Sequence, residues 1–321
     1  MILTLTTNPS LDRTLEITGP LERGEVQRTV GVRAEPGGKG VNVSRVVAEA
    51  GLPTIAVLPA RAGDPLLAAL DEVGLHHQTV AVAGEVRSNI TIAEPDGTTT
   101  KINASGQPLD ATHIRALTDL VLTHAADATW VALCGSLPPG VADDWYRVLA
   151  DELIARGCRV AIDTSGAPLT AAVTGRVDLI KPNEFELAEA CGADPDVLRL
   201  AAAAGDLGPI ASASAELAAR THGAVLATLG ASGALLTTET GSWFATPPPI
   251  IPRSTVGAGD SSLAGYLIAE TRGADEPERL RTAVAYGAAA AALPGTQPPR
   301  PEHLDAARVR VTDLTGAAPA P

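Results

Sequence analysis

The sequence predicts an α/β fold: a mainly parallel sheet with helices on both faces, and a small second sheet inserted at one edge. Three observations carry this expectation. Short apolar runs bounded by turn residues alternate with longer Ala/Leu-rich stretches, and strand–helix alternation of this kind implies a parallel sheet. Two segments break the alternation with a period-two pattern and no helix directly behind them. Of the 321 residues 45% are hydrophobic but only 2% aromatic, so the core is built from Ala, Val, Leu and Ile, which suits close helix-on-sheet packing.

Taken in order, Ile2–Leu5, Ile55–Val57, Trp130–Leu133, Val160–Ile162, Leu179–Ile180 and Ala224–Thr228 read as buried strands. Between them Gly40–Ala50, Leu66–Val73, Ala111–His124, Asp143–Arg156, Glu184–Cys191 and Ser212–Arg220 read as helices. Leu235–Thr238 with Ser242–Ala245 suggests a hairpin, and Asp260 to Leu293 is almost wholly helical in pattern. The exceptions are Leu15–Val32 and Arg87–Asn103, the latter turning at Pro95-Asp-Gly97. A small sheet with one apolar face does not stay exposed alone, so these strands should cover a cleft, pair with a second copy, or both. Ala201–Ala204, Pro247–Pro249 and the Pro/Ala tail are the low-complexity stretches.

Net charge is −13, with no long Lys/Arg block, which argues against nucleic acid and anionic membranes as partners. Any phosphate site must be local. Cys134, Cys158 and Cys191 have no paired spacing, and the opening Met-Ile-Leu-Thr-Leu-Thr is too short for a signal peptide or a span. A cytoplasmic protein with reduced thiols is expected. The six histidines show no ligand spacing, so a transition-metal site is not expected. Only three of the 24 basic residues are lysine, namely Lys39, Lys101 and Lys181. A lysine kept in so arginine-rich a chain suggests places where a compact point charge is needed.

Two glycine-rich strings carry the chemistry. In Ser254-Thr-Val-Gly-Ala-Gly-Asp-Ser261, the glycines around Ala258 let successive amides aim at one spot, and a helix starting there adds its positive end. Asp260 would sit beside the anion so held, able to take a proton from an attacking hydroxyl. The same string also reads as an ordinary loop with Asp260 as helix cap. It is not a Walker A loop, since no Lys-Ser/Thr follows. In Pro36-Gly-Gly-Lys-Gly-Val-Asn42, paired glycines allow a ligand close to the backbone, Asn42 offers a donor and an acceptor, and Lys39 supplies one charge. Its alternative is a turn opening a helix.

Together, in this order, the two strings resemble the ribokinase/PfkB carbohydrate kinase family. Thr6-Thr-Asn-Pro-Ser-Leu-Asp12, Cys134-Gly-Ser-Leu-Pro-Pro-Gly140, Lys181-Pro-Asn-Glu-Phe-Glu-Leu187 and Thr228-Leu-Gly-Ala-Ser-Gly233 also fall in family order, and the match runs from residue 2 to about residue 305. Asn-Pro-Ser-Leu-Asp with Gly-Gly-Lys-Gly-Val-Asn-Val looks most like the 1-phosphofructokinase and tagatose-6-phosphate kinase branch. The resemblance implies one ribokinase-like domain over residues 1–321: a Rossmann-like three-layer α/β/α body with a β lid formed by about 13–35 and 86–104.

It also implies roles. Asp260 matches the catalytic base, and Gly257, Ala258 and Gly259 the anion hole. Asp12, Gly37, Gly38 and Asn42 match the residues on sugar hydroxyls, and Lys39 the phosphate-binding lysine, with Arg87 and Lys101 as helpers from the lid. Ser136 lies where the family touches substrate. Asn183 and Glu186 reproduce the Asn-x-x-Glu motif linked to Mg²⁺ and phosphate, with the metal contact expected to be indirect. Lys181 fits a nucleotide phosphate, and Thr228, Gly230 and Gly233 the ATP site. Ala288 and Ala291 fall in the helix lining the adenine, where some members are polar. Each has a structural alternative: Asp12 and Ser136 as turn residues, Asn183 and Glu186 as a helix cap, Arg87 and Lys101 as a solvated face.

The activity so implied is phosphoryl transfer from ATP, with Mg²⁺, to a sugar phosphate. Fructose 1-phosphate, giving fructose 1,6-bisphosphate, leads, with tagatose 6-phosphate and fructose 6-phosphate behind. A non-catalytic sugar-phosphate sensor of the same fold is the reading from another class. A homodimer through the lid edges is the expected assembly.

Overall fold

The computed structural model describes residues 1–316. The chain runs β1 (Ile2–Thr6), β2 (Ser10–Ile17), β3 (Thr29–Gly37), α1 (Lys39–Glu49), β4 (Thr54–Pro59), α2 (Pro65–Glu72), β5 (His77–Val80), β6 (Arg87–Ala93), β7 (Thr99–Asn103), α3 (Ala111–Ala125), β8 (Trp130–Cys134), α4 (Trp145–Ala155), β9 (Arg159–Asp163), α5 (Ala167–Ala172) and β10 (Leu179–Ile180). It continues through α6 (Glu184–Cys191), α7 (Pro195–Ala204), α8 (Gly208–Thr221), β11 (Ala224–Thr228), β12 (Ala234–Thr238), β13 (Gly241–Thr246), α9 (Ala258–Thr271), α10 (Glu276–Ala292) and β14 (Arg310–Asp313).

Ten strands form the large sheet in the order β14-β13-β12-β11-β10-β9-β8-β1-β4-β5. It is parallel from β5 to β11 and antiparallel beyond. Both faces are covered, so the central strands are mainly apolar and their alternate residues enter different cores. Ile2, Trp130 and Ala132 pack with Val43, Val47, Leu263, Leu267 and Val284 from α1, α9 and α10. Leu3, Leu5, Val131 and Leu133 pack with Leu117, Val121, Leu149 and Leu153 from α3 and α4 on the other side. All three tryptophans, Trp130, Trp145 and Trp243, are buried in this body. Trp130 donates from Nε1 to Glu270 Oε2 at 2.7 Å, with the Arg159 guanidinium 4.1 Å above its ring centroid.

From β1 the chain steps outward through β4 to β5, then returns to β8 and steps the other way. The strand order therefore reverses between β1 and β8, and the crevice at their C-terminal ends is the natural ligand site. Tyr146 staples these two ends together: its hydroxyl is 2.7 Å from Thr7 Oγ1 and donates to the Cys134 carbonyl at 3.0 Å.

The second sheet has the order β3-β2-β6-β7, with β2 and β6 parallel and the outer pairs antiparallel. The first irregular segment thus holds two strands, starting at Ser10 rather than near Leu15, so Asp12 belongs to the small sheet. Cross-strand register puts Asp12, Thr14, Asn89, Thr91, Lys101 and Glu35 on one face, and Leu15, Ile90, Ile92, Ile102 and Val32 on the other.

The expected α4 start at Asp143 moves to Trp145, and the helix read from Ser212 begins at Gly208. Four elements have no counterpart in the sequence reading: β5, α5, α7 and β14. The stretch read as low complexity at Ala201–Ala204 is the last turn of α7, which Asp194 caps through the amide of Asp196 and Gly205 ends in left-handed geometry.

Candidate active site

Gly257 caps α9 with φ 77°, a conformation that favours glycine, and thereby turns the first-turn amides toward the crevice. The first helical bond runs from the Ser261 amide to the Gly257 carbonyl at 2.8 Å. Asp260 sits in that first turn and is 8% exposed. Asn42, from the first turn of α1, donates from Nδ2 to Asp260 Oδ2 at 2.8 Å. Its Oδ1 is buried with no hydrogen-bond partner among the described residues, an acceptor left for a ligand hydroxyl. Burial, and then the nearby Asp163 carboxylate, push the Asp260 carboxyl up to about 6, against Lys39, Asn42 and Lys181.

Asp163, which the sequence reading passed over, is the centre of the charge network. It ends β9, beside the reversal of strand order, with its side chain fully buried. Lys39 Nζ donates to its Oδ1 at 2.6 Å, and Lys181 Nζ lies 3.2 Å from its Oδ2 as an ion pair without hydrogen-bond alignment. Burial alone would raise its pKa, yet the two ammonium groups hold Asp163 below its usual range. Lys39 in turn is pushed up by Asp163, Asp260 and Glu186 against the effect of burial. A Cβ built on Gly259 would lie 3.3 Å from Lys181 Nζ, so that ammonium sits just beneath the first turn of α9. The signal that could have found Asp163 is an aspartate closing an apolar strand, Val160-Ala-Ile-Asp163, at the carboxyl edge of a parallel sheet.

Asn183 and Glu186 form a capping box on α6. Asn183 Oδ1 accepts from the amides of Phe185 and Glu186, both at 2.9 Å, while Glu186 Oε2 accepts from the Asn183 amide at 2.8 Å. These bonds commit the Asn183 oxygen to the helix, so the metal contact expected of Asn183 is an indirect one. Glu186 Oε1 remains, 3.9 Å from Lys39 Nζ. Among the described residues no group of three or more His, Cys, Asp or Glu is placed to hold a metal ion by itself.

On the other side of the crevice, Asp12 Oδ1 accepts from Ser10 Oγ at 2.7 Å and from Asn89 Nδ2 at 3.0 Å. A Cβ on Gly37 would come within 2.3 Å of the Asp12 carboxylate, so only glycine lets β3 pass it. Gly38 opens α1 behind it. Ser136 receives a 3.3 Å hydrogen bond from Asn8 Nδ2, which also holds the Ser105 carbonyl. Asn8 and Asn89 are further polar side chains here that the sequence reading did not single out.

The three cations expected to share one phosphate are not gathered. Lys39 turns to Asp163 and Glu186. Arg87 lines a separate cavity with Thr7, Asn8 and Gln107, donates to the Ala104 carbonyl at 2.8 Å and keeps a buried, unpartnered Nε. Lys101 is exposed and faces a cleft shared with Arg253, Ser254 and Thr255. The α1 register fixes Lys39 toward the body, whereas Arg87 and Lys101 ride on the small sheet.

Thr228 bridges to Asn183 at the end of β11 and donates to the Pro182 carbonyl at 3.4 Å. Gly230 starts a short 3-10 turn after it. Gly233 has a backbone reason of its own, since a Cβ there would meet the Ala245 carbonyl oxygen at 2.0 Å. Ala288 is buried in α10, and the Ala291 carbonyl accepts from the amides of Arg253 and Ser254 at 2.8 and 3.2 Å.

With this geometry in place, comparison with known proteins is decisive. The model of the pfkB family of carbohydrate kinases matches residues 5–303. The chain belongs to this family. Among pfkB relatives, the 1-phosphofructokinase of Rhodobacter capsulatus is 34% identical over 320 residues, covering 98% of each chain. The ATP-dependent 6-phosphofructokinase isozyme 2 of Mycobacterium tuberculosis is 34% identical over 304 residues, 92% of this chain and 85% of its own. Of solved pfkB structures, phosphofructokinase-2 from Escherichia coli in complex with substrates and products superposes with a TM-score of 0.85 at 30% identity, covering 94% of this chain and 96% of that one. The three-layer body with a small separate sheet is thus the ribokinase-like fold. No helix among the described residues is long and apolar enough to cross a membrane.

Proposed function

We propose that this pfkB kinase transfers the γ-phosphoryl group of ATP to the free primary hydroxyl of fructose 1-phosphate, giving fructose 1,6-bisphosphate. The observation that carries the reading is the buried Asp260 carboxylate, held by Asn42 in the first turn of α9, beside the amides at the N-terminus of that helix. Asp260 accepts the hydroxyl proton as the bond to phosphorus forms, and the ADP oxygen leaves on the opposite side. The amides from Gly257 to Gly259, with Lys181 beneath them, offset charge on the moving group. Asp12 and Asn89 fix the sugar hydroxyls. Arg87, with Ser136 and Asn8 alongside, takes the phosphate already on the substrate, and Thr228 and Gly230 border the nucleotide. Mg²⁺ would supply charge neutralisation across the phosphate oxygens, and the free Glu186 Oε1, through water, is the carboxylate that fits it.

The small sheet acts as the lid in this reading. Its polar face meets the crevice, and its closure excludes the water that would otherwise accept the phosphoryl group. Its outer face exposes Val30, Val32 and Ile102 at 68%, 60% and 56%, and we take that face as the contact of a homodimer. Ile102→Asp should then shift the light-scattering mass from dimer to monomer, and an unchanged mass would remove this contact.

Relatives named for either phosphofructose are equally identical to this chain, which gives fructose 6-phosphate standing as a second reading. Coupled ADP-release kinetics with fructose 1-phosphate, fructose 6-phosphate and tagatose 6-phosphate decide between them. The expected result is the highest kcat/KM on fructose 1-phosphate. A preference for fructose 6-phosphate would transfer the assignment, and no turnover on any of the three would leave a binder rather than an enzyme.

A further inference from the structure

Arg45 lies on α1 one turn beyond Asn42 and is 7% exposed, yet it touches none of the reacting groups. Its Nη1 donates to the Pro36 carbonyl at 3.2 Å, at the root of β3, and to the Thr296 carbonyl at 3.1 Å, in the segment after α10. A third contact reaches Thr296 Oγ1 at 3.4 Å. Glu35, on the small sheet, closes the triangle: one carboxylate oxygen stands 3.8 Å from Arg45 Nη2 and the other accepts from the Thr296 amide at 3.3 Å. Both Glu35 contacts are longer than the usual 2.9 Å or so, and Arg45 Nε is buried without a hydrogen-bond partner among the described residues. A buried guanidinium left with an open donor and a loose carboxylate is costly as pure scaffolding. It makes sense as a joint that tightens when β3 swings inward.

The joint has a physical continuation. Thr296 follows the end of α10, where the Ala291 carbonyl holds the Arg253 and Ser254 amides, and these residues lead into Gly257. We infer that Arg45, Glu35 and Thr296 form a positioning node that couples closure of the lid over the sugar to the nucleotide side of the site. The inference rests on the lid reading proposed above. Closure brings Glu35 onto Arg45 and Thr296, and the α10 end and the anion-hole loop are held in the same act. Linkage then requires each ligand to tighten the other by one common factor.

The test is calorimetric titration of fructose 1-phosphate into the full chain with and without saturating ADP. Wild type should bind the sugar phosphate at least about fivefold more tightly with ADP present. Glu35→Gln should bring that ratio to within about twofold while the melting temperature stays put, and Arg45→Met should do the same with a lower melting temperature. A wild-type ratio near one, or a Glu35→Gln protein that keeps the wild-type ratio, overturns the node. A second readout needs no sugar: ADP alone should slow amide exchange at residues 33–37 in wild type but not in Glu35→Gln. Equal protection in both, or none in either, also refutes it. Failure of fructose 1-phosphate to bind would strike the substrate reading, and the exchange experiment would still decide the node.

Discussion

At the carboxyl edge of the large sheet, Asp163, Asp260 and Lys181 are buried and answer to side chains of the body, Asp163 to Lys39 and Lys181, and Asp260 to Asn42. On the small sheet, Asp12, Arg87 and Lys101 stay half-buried or open: Asp12 accepts from the neutral side chains of Ser10 and Asn89, Arg87 donates to a backbone carbonyl, and Lys101 faces a cleft. The contrast separates two tasks. Charges whose pKa must be set are fixed by strands with both faces covered, where the low dielectric gives neighbours leverage. Charges that must meet a ligand and let it go are carried on a sheet with one face in the crevice.

Replacing Asp260 tests the buried side most severely. Asp260→Asn should lower kcat by about 10²–10⁴-fold with little change in sugar-phosphate affinity, read by steady-state kinetics and calorimetry. The same variant should be the more stable protein at pH 7. The carboxyl is raised from its ordinary 3.8 to about 6, so its contribution is full below pH 4 and lost as pH rises through 6. Removing the ionised form should recover on the order of 2–3 kcal/mol in a urea melt. In wild type, kcat/KM should rise with pH through an apparent pKa near 6. A stability loss in Asp260→Asn, or a flat profile from pH 5 to 7, would contradict the proposed burial effect.

Asp163→Asn should behave in the opposite sense. It leaves two ammonium groups facing each other without their carboxylate, and a loss of about 3–5 kcal/mol is expected. Because this carboxyl is held low, its contribution is present above its unfolded pKa near 4 and fades as pH falls through the folded value. The gap between wild-type and variant melting temperatures should therefore narrow in acid. Arg87→Met sharpens the comparison from the small sheet. Loss of one charge-assisted contact to phosphate should raise the sugar-phosphate KM about 10–100-fold while kcat and melting temperature hardly move. A fall in kcat with unchanged KM would place Arg87 in the wrong task.

Legibility in the sequence followed the same division. The central strands were readable because burial on both faces leaves continuous apolar runs, as in Trp130–Cys134. The loop from Ser254 to Asp260 was readable because its chemistry is local. Asp163 was not, since its importance comes from Lys39 and Lys181 arriving from motifs far apart in the chain. The separate surroundings of Lys39, Arg87 and Lys101 were not legible for the same cause: likeness of charge is visible in a sequence, and the direction a helix turn gives a side chain is not. The short edge strand β5 and the last strand β14 offered too few residues for periodicity to show. Helix α7 carried both its cap signals, Asp194-Pro195 and Gly205, under a run of alanines that masked them.

The burial of every tryptophan in the large-sheet body has an optical consequence. No Phe, Tyr or Trp occurs in β2, β3, β6 or β7, so intrinsic fluorescence records the body and is blind to the small sheet. A single tryptophan placed at Val26, 93% exposed on the loop between β2 and β3, would give that sheet a signal of its own. Its emission colour and quenching by iodide could then be followed in stopped flow as ligands arrive, while the three native indoles supply a steady internal reference.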